Sequence, residues 1–389
     1  MKKPINVSAQ ISRTLFVSVF TTMLGFGIIS PLLPVYATSI GATGLWLGII
    51  FSGFSFSRVF LMPIVGRLSD KKNKKRFIVT GLLLYTIISL FYIFASNVYL
   101  LTAVRMLHGL ASVMVIPIAM AYVGETSVEG DEGIRMGGIN TSESLGRAFG
   151  PLLGGTLYVS FGISSIFIIM SCLSAIAFFM ALFFLPDKND IKKQDGVFSY
   201  RYVLKSVKIR GLILYRFVRA INLGMLFVFL PLFASLINLS IIEIGILVSS
   251  IIFIDAILQK PFGYLADKID RLNLVIFGLI FSVIPLFIIP FTHNFIELIF
   301  VCSFIGLGRA ISMPASLALT VEVGRKIGMG FSMGLLSTAM SAGMITSSLT
   351  SGILFDAFGI SLPFYFAGII SIITAPIIYL LIKNPNHGL

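Results

Sequence analysis

The stretch Gly66-Arg67-Leu68-Ser69-Asp70-Lys71 returns 197 residues later as Gly263-Tyr264-Leu265-Ala266-Asp267-Lys268. The same shift, with no gap, also aligns Leu33-Pro34 with Leu230-Pro231, Gly109 with Gly306, Pro117 with Pro314, Glu125 with Glu322, and Phe161-Gly162 with Phe358-Gly359. Chance can supply one such match but hardly the whole set in one register. The sequence therefore predicts a chain built as two similar halves.

The composition indicates that most of the outer surface meets lipid. Hydrophobic residues make up 57% of the chain and charged residues 12%, whereas soluble domains carry about 25% charged residues. The net charge of +13 lies in short loops between apolar segments. These loops are too short to form a nucleic-acid-binding domain, so no nucleic-acid partner is expected.

The apolar segments predict twelve transmembrane helices, since about 20 apolar residues cross a bilayer core. An all-α integral membrane protein with six helices in each half follows. The first half is expected at 1–185 and the second at 211–389, joined by a polar linker at 186–210. The predicted spans are 13–36, 45–66, 76–95, 98–121, 139–160, 164–185, 211–236, 241–264, 273–292, 294–318, 332–355 and 361–382.

The distribution of Lys and Arg predicts the orientation. They gather at the termini, in the linker and in alternate loops, whereas the other loops carry acids such as Glu243 and Glu297. By the positive-inside rule both termini lie in the cytoplasm, with the protein in the cell membrane. Six spans followed by a copy in the same orientation predict two bundles related by a pseudo-two-fold axis along the membrane normal.

The loop after the second span resembles the signature G-x-L-a-D-r-x-G-r-k of the major facilitator superfamily. Asn73 stands where a glycine is usual, and asparagine tolerates a left-handed backbone. The resemblance implies a cytoplasmic gate, in which Asp70 accepts hydrogen bonds from a helix N-terminus and the basic residues bind anionic lipid headgroups. The alternative is a loop that only sets topology. The gate candidates are Gly66, Asp70, Lys71 and Lys74, with Gly263, Asp267 and Lys268 in the copy.

Span four carries Arg105-Met106-Leu107-His108-Gly109, which is similar to the family pattern R-x-x-q-G with His108 in place of glutamine. Arg105 and His108 share one helix face. An arginine inside a membrane must face protein or water, so both are candidates to line a substrate cavity. The alternative for Arg105 is a side chain that turns toward the outer interface.

Span five matches the G-x-x-x-G-P-x-x-G-G motif that exporters of this family tend to carry. The matching residues are Gly146, Gly150, Pro151, Gly154 and Gly155. Glycines at i, i+4 and i+8 form a bare stripe that lets a facing helix approach to backbone contact, and the proline permits a bend. This motif is the most specific sequence feature that favours export.

Span one resembles that of tetracycline-type exporters but has Thr22 where those carry an acid, and the repeat places Arg219 at the equivalent position. The family's fold implies a cavity lined by spans one, four, seven and ten, which adds Thr22, Arg219 and Arg309 to the cavity candidates. The excess of positive charge favours an anionic or zwitterionic solute. For Arg216, a side chain that extends to the cytoplasmic interface is the favoured alternative.

Asp255 is the acid that lies nearest the middle of a span. A carboxyl whose surroundings change as a cavity changes sides can take up and release a proton, so Asp255 is predicted to couple transport to protons. Arg147 or Arg58 is its expected partner. Glu143 complicates this prediction because Glu143 and Arg147 form a good i, i+4 pair. The alternative is a permanent Asp255–Arg147 salt bridge that only latches the halves.

These features predict a proton-coupled exporter that binds a small molecule, meets membrane lipid and works as a monomer. An uptake symporter and a lipid flippase of the same fold are alternatives, as is a membrane receptor without transport. No enzyme motif is present, and no cofactor or metal site is expected. Cys172 and Cys302 lie in apolar runs and are interpreted as buried, inert thiols.

Overall fold

A computed structural model describes residues 7–71, 73–126, 132–186, 206–266, 268–327 and 329–383. These residues form α-helices joined by short turns, with a short 3₁₀ segment at Tyr92–Phe94 and another at Ile289–Phe291. The helices are α1 Val7–Ile29, α2 Leu32–Ser39, α3 Gly44–Lys71, α4 Lys74–Phe91, α5 Val98–Thr126, α6 Glu132–Phe184, α7 Val207–Leu236, α8 Ile241–Ala266, α9 Arg271–Ile288, α10 Phe295–Ile327, α11 Met329–Phe358 and α12 Ser361–Lys383. Most of the expected linker lies outside the described residues.

Ten helices in the described part of the chain are long and apolar enough to cross a membrane. One of them, the 48 residues Gly137–Phe184, is long enough for two crossings, since a helix rises 1.5 Å per residue and the bilayer core is about 30 Å thick. The helix α11 is not among the ten because glycine, serine and threonine lower its hydropathy, although its 30 residues are ample for a span. Twelve crossings result, as predicted.

Residues that break helices interrupt the first predicted span and separate the fifth predicted span from the sixth. The first span divides into α1 and α2, because Pro31 lacks the N–H that would continue the helix. The helix α6 changes direction at Gly162, which has φ 75°. A left-handed conformation suits glycine because it has no Cβ, so this position separates the fifth and sixth spans.

The described residues with left-handed backbone confirm the internal repeat. They are Gly41 with φ 89°, Asn238 with φ 61°, Gly162 and, with φ 86°, Gly359. The shift of 197 residues carries Gly41 onto Asn238 and Gly162 onto Gly359. The turns after the first and fifth spans of each half therefore each contain a residue with a left-handed backbone conformation at the equivalent position.

Asn73 does not adopt the left-handed conformation that asparagine tolerates. Asn73 has φ −61° and caps α4, where its side chain accepts a hydrogen bond from the Lys75 N–H. Its repeat equivalent Asp270 caps α9 in the same way and accepts from the Asn273 N–H at 2.9 Å. Each side chain accepts a hydrogen bond from an N–H group in the first turn of a helix. In both halves this position of the loop therefore marks the start of a helix.

The chain packs as two compact units. The first contains α1, α2, α4 to α6, α3 from Gly53 onward, and Ser240–Ser249 at the start of α8. The second contains Ala42–Ser52 at the start of α3, α7, the rest of α8, and α9 to α12. In the second unit the Asp356 carboxylate accepts hydrogen bonds from the N–H groups of Gly44 at 2.6 Å and Leu45 at 2.7 Å, which caps α3.

The glycine stripe of α6 packs against α1 in the first unit. A Cβ on Gly146 would lie 2.7 Å from the Phe20 carbonyl oxygen, and one on Gly150 would lie 2.5 Å from the Gly27 Cα. The prediction that the stripe permits backbone contact is confirmed. In the second unit Gly343 packs on the Phe217 carbonyl in the equivalent place, and Ser347 donates a hydrogen bond to the Ile221 carbonyl at 2.6 Å.

Candidate functional site

Asp255 lies in the second unit and forms an ion pair with Arg309. The Arg309 Nε and Nη2 atoms donate to Asp255 Oδ2 at 3.2 and 3.0 Å. Gln259, one turn along α8, donates to Asp255 Oδ1 at 3.1 Å. Asp255 is 5% exposed, so the arginine and the amide replace the water that this carboxylate has lost.

The expected partners of Asp255 are wrong. Arg147 pairs instead with Glu143, one turn away on α6, with 2.5 Å between Nη2 and Oε1. Arg58 donates from Nη1 to Ser112 Oγ at 3.3 Å, and its guanidinium lies 5.6 Å from the centroid of the Phe54 ring. The i, i+4 pairing that the sequence offered as a complication is the one that forms.

A pocket of about 360 Å³, its open mouth included, lies beside the Asp255–Arg309 pair. It is enclosed by α7, α9 and α10, all in the second unit. Five aliphatic side chains form part of its wall, and the polar side chains that line it are Tyr215, Arg219, Asn222, Ser282, Arg309 and Ser312. Of these, only Arg219 and Arg309 were predicted from the sequence.

Arg216 and Arg219 lie one turn apart on α7, and a guanidinium nitrogen of each contacts the thioether of Met313. Arg216 is 9% exposed, so the expectation that it extends to the interface is wrong. A thioether is a weak hydrogen-bond acceptor. Among the ion pairs of described residues, neither arginine contacts a carboxylate.

In the first unit, His108 lies within a cluster of aromatic rings. Its Nδ1 is 2.9 Å from the Tyr92 hydroxyl, with which it shares a hydrogen bond, and its ring centroid is 4.5 Å from that of Tyr85. Phe26 and Phe54 pack edge-on at 6.0 and 5.7 Å. The rings leave the buried Nε2 of His108 and the Tyr85 hydroxyl without a hydrogen-bond partner.

Arg105 lies beside this cluster. Its guanidinium is 4.9 Å from the centroid of the Phe54 ring and 6.0 Å from that of Phe26, which is the geometry of a cation–π contact. The side chain is 4% exposed. The Arg105 and His108 side chains are both buried, so the alternative of an Arg105 side chain at the outer interface is wrong. That both residues line a substrate cavity stays a prediction.

Thr22, in contrast, has no free polar group. It is 1% exposed, and its hydroxyl donates to the Ser18 carbonyl on its own helix at 2.7 Å. A threonine bonded in this way contributes packing and leaves no group for a solute.

The repeat shows how the two units differ at equivalent places. The shift of 197 residues carries Arg58 onto Asp255 and Ser112 onto Arg309, so one contact is an Arg–Ser hydrogen bond in the first unit and an ion pair in the second. It also carries Thr22 onto Arg219. The charges of the second unit are therefore substitutions on a shared framework.

The gate candidates are only partly described. The backbones of Asp70 and Lys71 lie in α3, but their side chains are outside the described residues, as is all of Asp267. Lys74 is 4% exposed, and its amine lies 3.5 Å from the Ser69 carbonyl. Lys268 is exposed. Among the described residues, a Cβ on Gly66 would meet nothing within 4 Å, and one on Gly263 would meet Pro314 at 3.9 Å.

The two cysteines differ in environment. Cys302 is fully buried, as predicted, whereas Cys172 is exposed on the surface of α6. That part of α6 is apolar enough to span a membrane, so Cys172 faces lipid. The prediction of two buried thiols is correct for one of them.

This architecture defines a multi-span membrane protein of two similar helical units with buried charges, as is typical of secondary transporters. A sequence profile described as the Major Facilitator Superfamily matches residues 15–213 and 212–389. The chain belongs to this superfamily, and it is a transporter, not an enzyme.

Relatives and solved structures are similar along nearly the whole chain. An uncharacterised transporter of the same superfamily from Methanocaldococcus jannaschii is 31% identical, over 95% of this chain and 97% of its own length. Multidrug resistance protein 2 of Bacillus subtilis is 26% identical, over 96% and 95%. The crystal structure of a bacterial homologue of the human lysosomal transporter Spinster superposes with a TM-score of 0.82 at 11% identity, covering 98% of each chain.

Proposed function

We propose that this transporter exports a small lipophilic, anionic or zwitterionic compound from the cell by alternating access, in exchange for protons. It works as a monomer in the cell membrane with both termini in the cytoplasm. Asp255 is the proton-coupling residue, and Arg309 is its partner.

The observation that carries export is the Gly146–Gly155 stretch of α6, packed backbone to backbone on α1. Its ten residues match the motif of the family's exporters along their whole length. The resemblance to a Bacillus subtilis protein named for multidrug resistance supports the same direction.

Proton coupling rests on the burial of the Asp255–Arg309 pair. A proton on Asp255 cancels the carboxylate charge and releases the Arg309 guanidinium, which then lies buried without a counter-ion. Breaking a buried ion pair changes the free energy of a state by about 3–5 kcal/mol. A change of this size is sufficient to shift a transporter from one access state to another.

The experiment uses membrane vesicles of both orientations from cells that produce the protein. In inside-out vesicles with an acid interior, an exporter that exchanges protons accumulates a labelled zwitterion such as norfloxacin or a labelled anion such as taurocholate. Collapse of the proton gradient with a protonophore removes the accumulation. Accumulation that persists without the gradient, or that occurs only in right-side-out vesicles, contradicts the proposal.

A second candidate, proton-coupled uptake of an anion, is favoured by the pocket beside Arg309. An anion in this pocket competes with the Asp255 carboxylate for the same guanidinium. Protonation of Asp255 removes the competitor, so anion and proton bind together, which is the linkage that a symporter needs. Accumulation of taurocholate in right-side-out vesicles with an acid exterior would select this candidate.

A further inference from the structure

The pocket of the second unit contains more positive than negative charge. Arg219 and Arg309 both line it. Asp255 neutralises Arg309, but the printed polar contact of Arg219 is the Met313 thioether, and its buried Nε has no hydrogen-bond partner. One cationic group that faces the pocket is thus left without a counter-ion among the described residues.

A buried hydroxyl accompanies this cation. Tyr215 is 0% exposed, it lines the pocket, and its hydroxyl has no hydrogen-bond partner in the described part of the chain. Tyr215 and Arg219 are four residues apart on α7, so they share a helix face. A buried phenol without a partner costs free energy, and a ligand oxygen in the pocket would supply the missing acceptor.

The first unit shows that the fold alone does not create this pocket. The shift of 197 residues places Tyr85 where the second unit has Ser282, and His108 where it has Ile305. Tyr85 and His108 are in ring contact, with centroids 4.5 Å apart, so aromatic side chains fill the equivalent space. In the second unit Ser282 and Ile305 occupy these two positions, while Tyr215 replaces Ser18 and Arg219 replaces Thr22.

We propose that this pocket binds a carboxylate, or another oxyanion of one negative charge, between the Arg219 guanidinium and the Tyr215 hydroxyl. A guanidinium binds a carboxylate through two parallel hydrogen bonds. The hydroxyls of Ser282 and Ser312 at the same pocket donate to carbonyls of their own helices, so the proposed binding does not depend on them. Arg309 also lines the pocket, with its charge balanced by Asp255. The aliphatic side chains accept the apolar body that carries the charge.

This inference rests on the proposed function, because we assign the bound anion as the head group of the transported compound. Binding itself requires neither a proton gradient nor turnover. Equilibrium binding to the purified full-length protein therefore tests the site separately from transport.

The test uses three probes of nearly equal shape and different charge: benzoate, benzamide and benzamidine. With the protein in phosphatidylcholine nanodiscs, radiolabelled benzoate is expected to bind saturably. Unlabelled benzamide and benzamidine should compete roughly tenfold or more weakly than unlabelled benzoate, since they lack the negative charge. Competition of equal strength by all three would overturn the proposal.

Variants assign the binding to the pocket. Arg219→Gln is expected to weaken benzoate binding roughly tenfold or more, and Tyr215→Phe several-fold. Arg219→Lys keeps the charge and should retain part of the affinity. The matched control is Arg210→Gln, which removes an exposed arginine from the same helix and should bind benzoate as the unaltered protein does. Full benzoate affinity in Arg219→Gln contradicts the proposal. If that variant does not fold, the proposal is contradicted when Tyr215→Phe binds benzoate with full affinity and benzamide competes as strongly as benzoate.

A second set of nanodiscs distinguishes a soluble anion from a lipid headgroup, which share this chemistry. Phosphatidylglycerol added to the nanodiscs leaves benzoate binding unchanged if the ligand is a soluble anion. If phosphatidylglycerol displaces benzoate and remains bound to the detergent-purified protein only when Arg219 is present, the oxyanion belongs to a lipid. Displacement that does not depend on Arg219 counts against the pocket as the binding site.

Discussion

At the scale of single residues, the two units place different chemistry at equivalent positions. Arg58 and Ser112 form a hydrogen bond in the first unit, and their equivalents Asp255 and Arg309 form an ion pair in the second. A hydrogen bond to a serine does not respond to protons, whereas a carboxylate–guanidinium pair does. The proton coupling that we propose therefore depends on residues of the second unit.

The variant Asp255→Asn tests this assignment. The amide keeps the shape of the side chain and can still accept from Arg309, but it cannot take up a proton. We expect proton-driven accumulation to fall at least tenfold, while exchange of labelled for unlabelled substrate across the membrane without a gradient continues. Glu322→Gln, which neutralises an exposed acid paired with Lys208, is the control that retains both activities. Full proton-driven transport by Asp255→Asn would remove this residue from the mechanism.

The aromatic cluster of the first unit allows a matched comparison of two tyrosines. Tyr92 shares a hydrogen bond with His108, whereas the buried Tyr85 hydroxyl has no partner. We expect Tyr92→Phe to lower the free energy of unfolding by about 1 kcal/mol, and Tyr85→Phe to leave it unchanged or raise it. Unfolding in mixed micelles with increasing dodecyl sulfate measures both. Equal losses in the two variants would contradict the assigned hydrogen bonds.

At the scale of helices, close packing in the first unit depends on glycines that have no room for a side chain. We expect Gly150→Ala to lower the free energy of unfolding by about 1–3 kcal/mol, because the new Cβ meets the Gly27 backbone, which cannot move aside as a flexible side chain can. Gly138→Ala is the control, since its Cβ meets nothing within 4 Å and alanine favours a helix by about 1 kcal/mol. The same micelle titration compares them, and no difference between the variants would refute the packing argument.

The helices were more predictable from the sequence than their contacts. Apolar runs and the repeat predict the spans and the two halves, because burial in lipid leaves a long, one-dimensional signal. The breaks at Pro31 and Gly162 follow from residue types that cannot continue a helix. The N-cap role of Asn73 was not predicted, because asparagine suits both a left-handed turn and a helix start.

Which charged side chains form ion pairs depends on the helix face that each one occupies. The depth of a residue along its span does not determine that face. Arg147 lies at a suitable depth for Asp255, yet Glu143 on its own helix is closer. The pocket residues Tyr215, Ser282 and Ser312 were missed because none carries a charge. The repeat did hold a usable signal: a large aromatic in one half, Tyr85, aligned with a serine in the other, Ser282, marks the place where space opens.

At the scale of the whole molecule, alternating access requires the helices to pack in at least two ways. The described glycines divide into two groups in this structure. Gly146 and Gly150 are in backbone contact, whereas Gly66, from the repeated loop motif, has open space around the position of a Cβ. A glycine that lacks neighbours in one arrangement has a packing role only if another arrangement brings a helix against it. The recurrence of this glycine as Gly263, also uncrowded, favours such a role at both positions.

Gly66→Ala is therefore expected to leave the melting temperature of the purified protein unchanged or slightly raised while lowering its transport rate several-fold. The added methyl group fits the packing described here but obstructs the second packing arrangement. The conversion between the two arrangements, and with it the transport rate, should therefore slow. Gly138→Ala, at a helical glycine with equally open surroundings whose repeat equivalent is Leu335 and not a glycine, should raise stability equally without slowing transport. Melting curves and initial transport rates in proteoliposomes give the two quantities. If Gly66→Ala transports at the rate of Gly138→Ala, the motif needs no glycine for close packing, and the topology-setting interpretation of this loop replaces the gate.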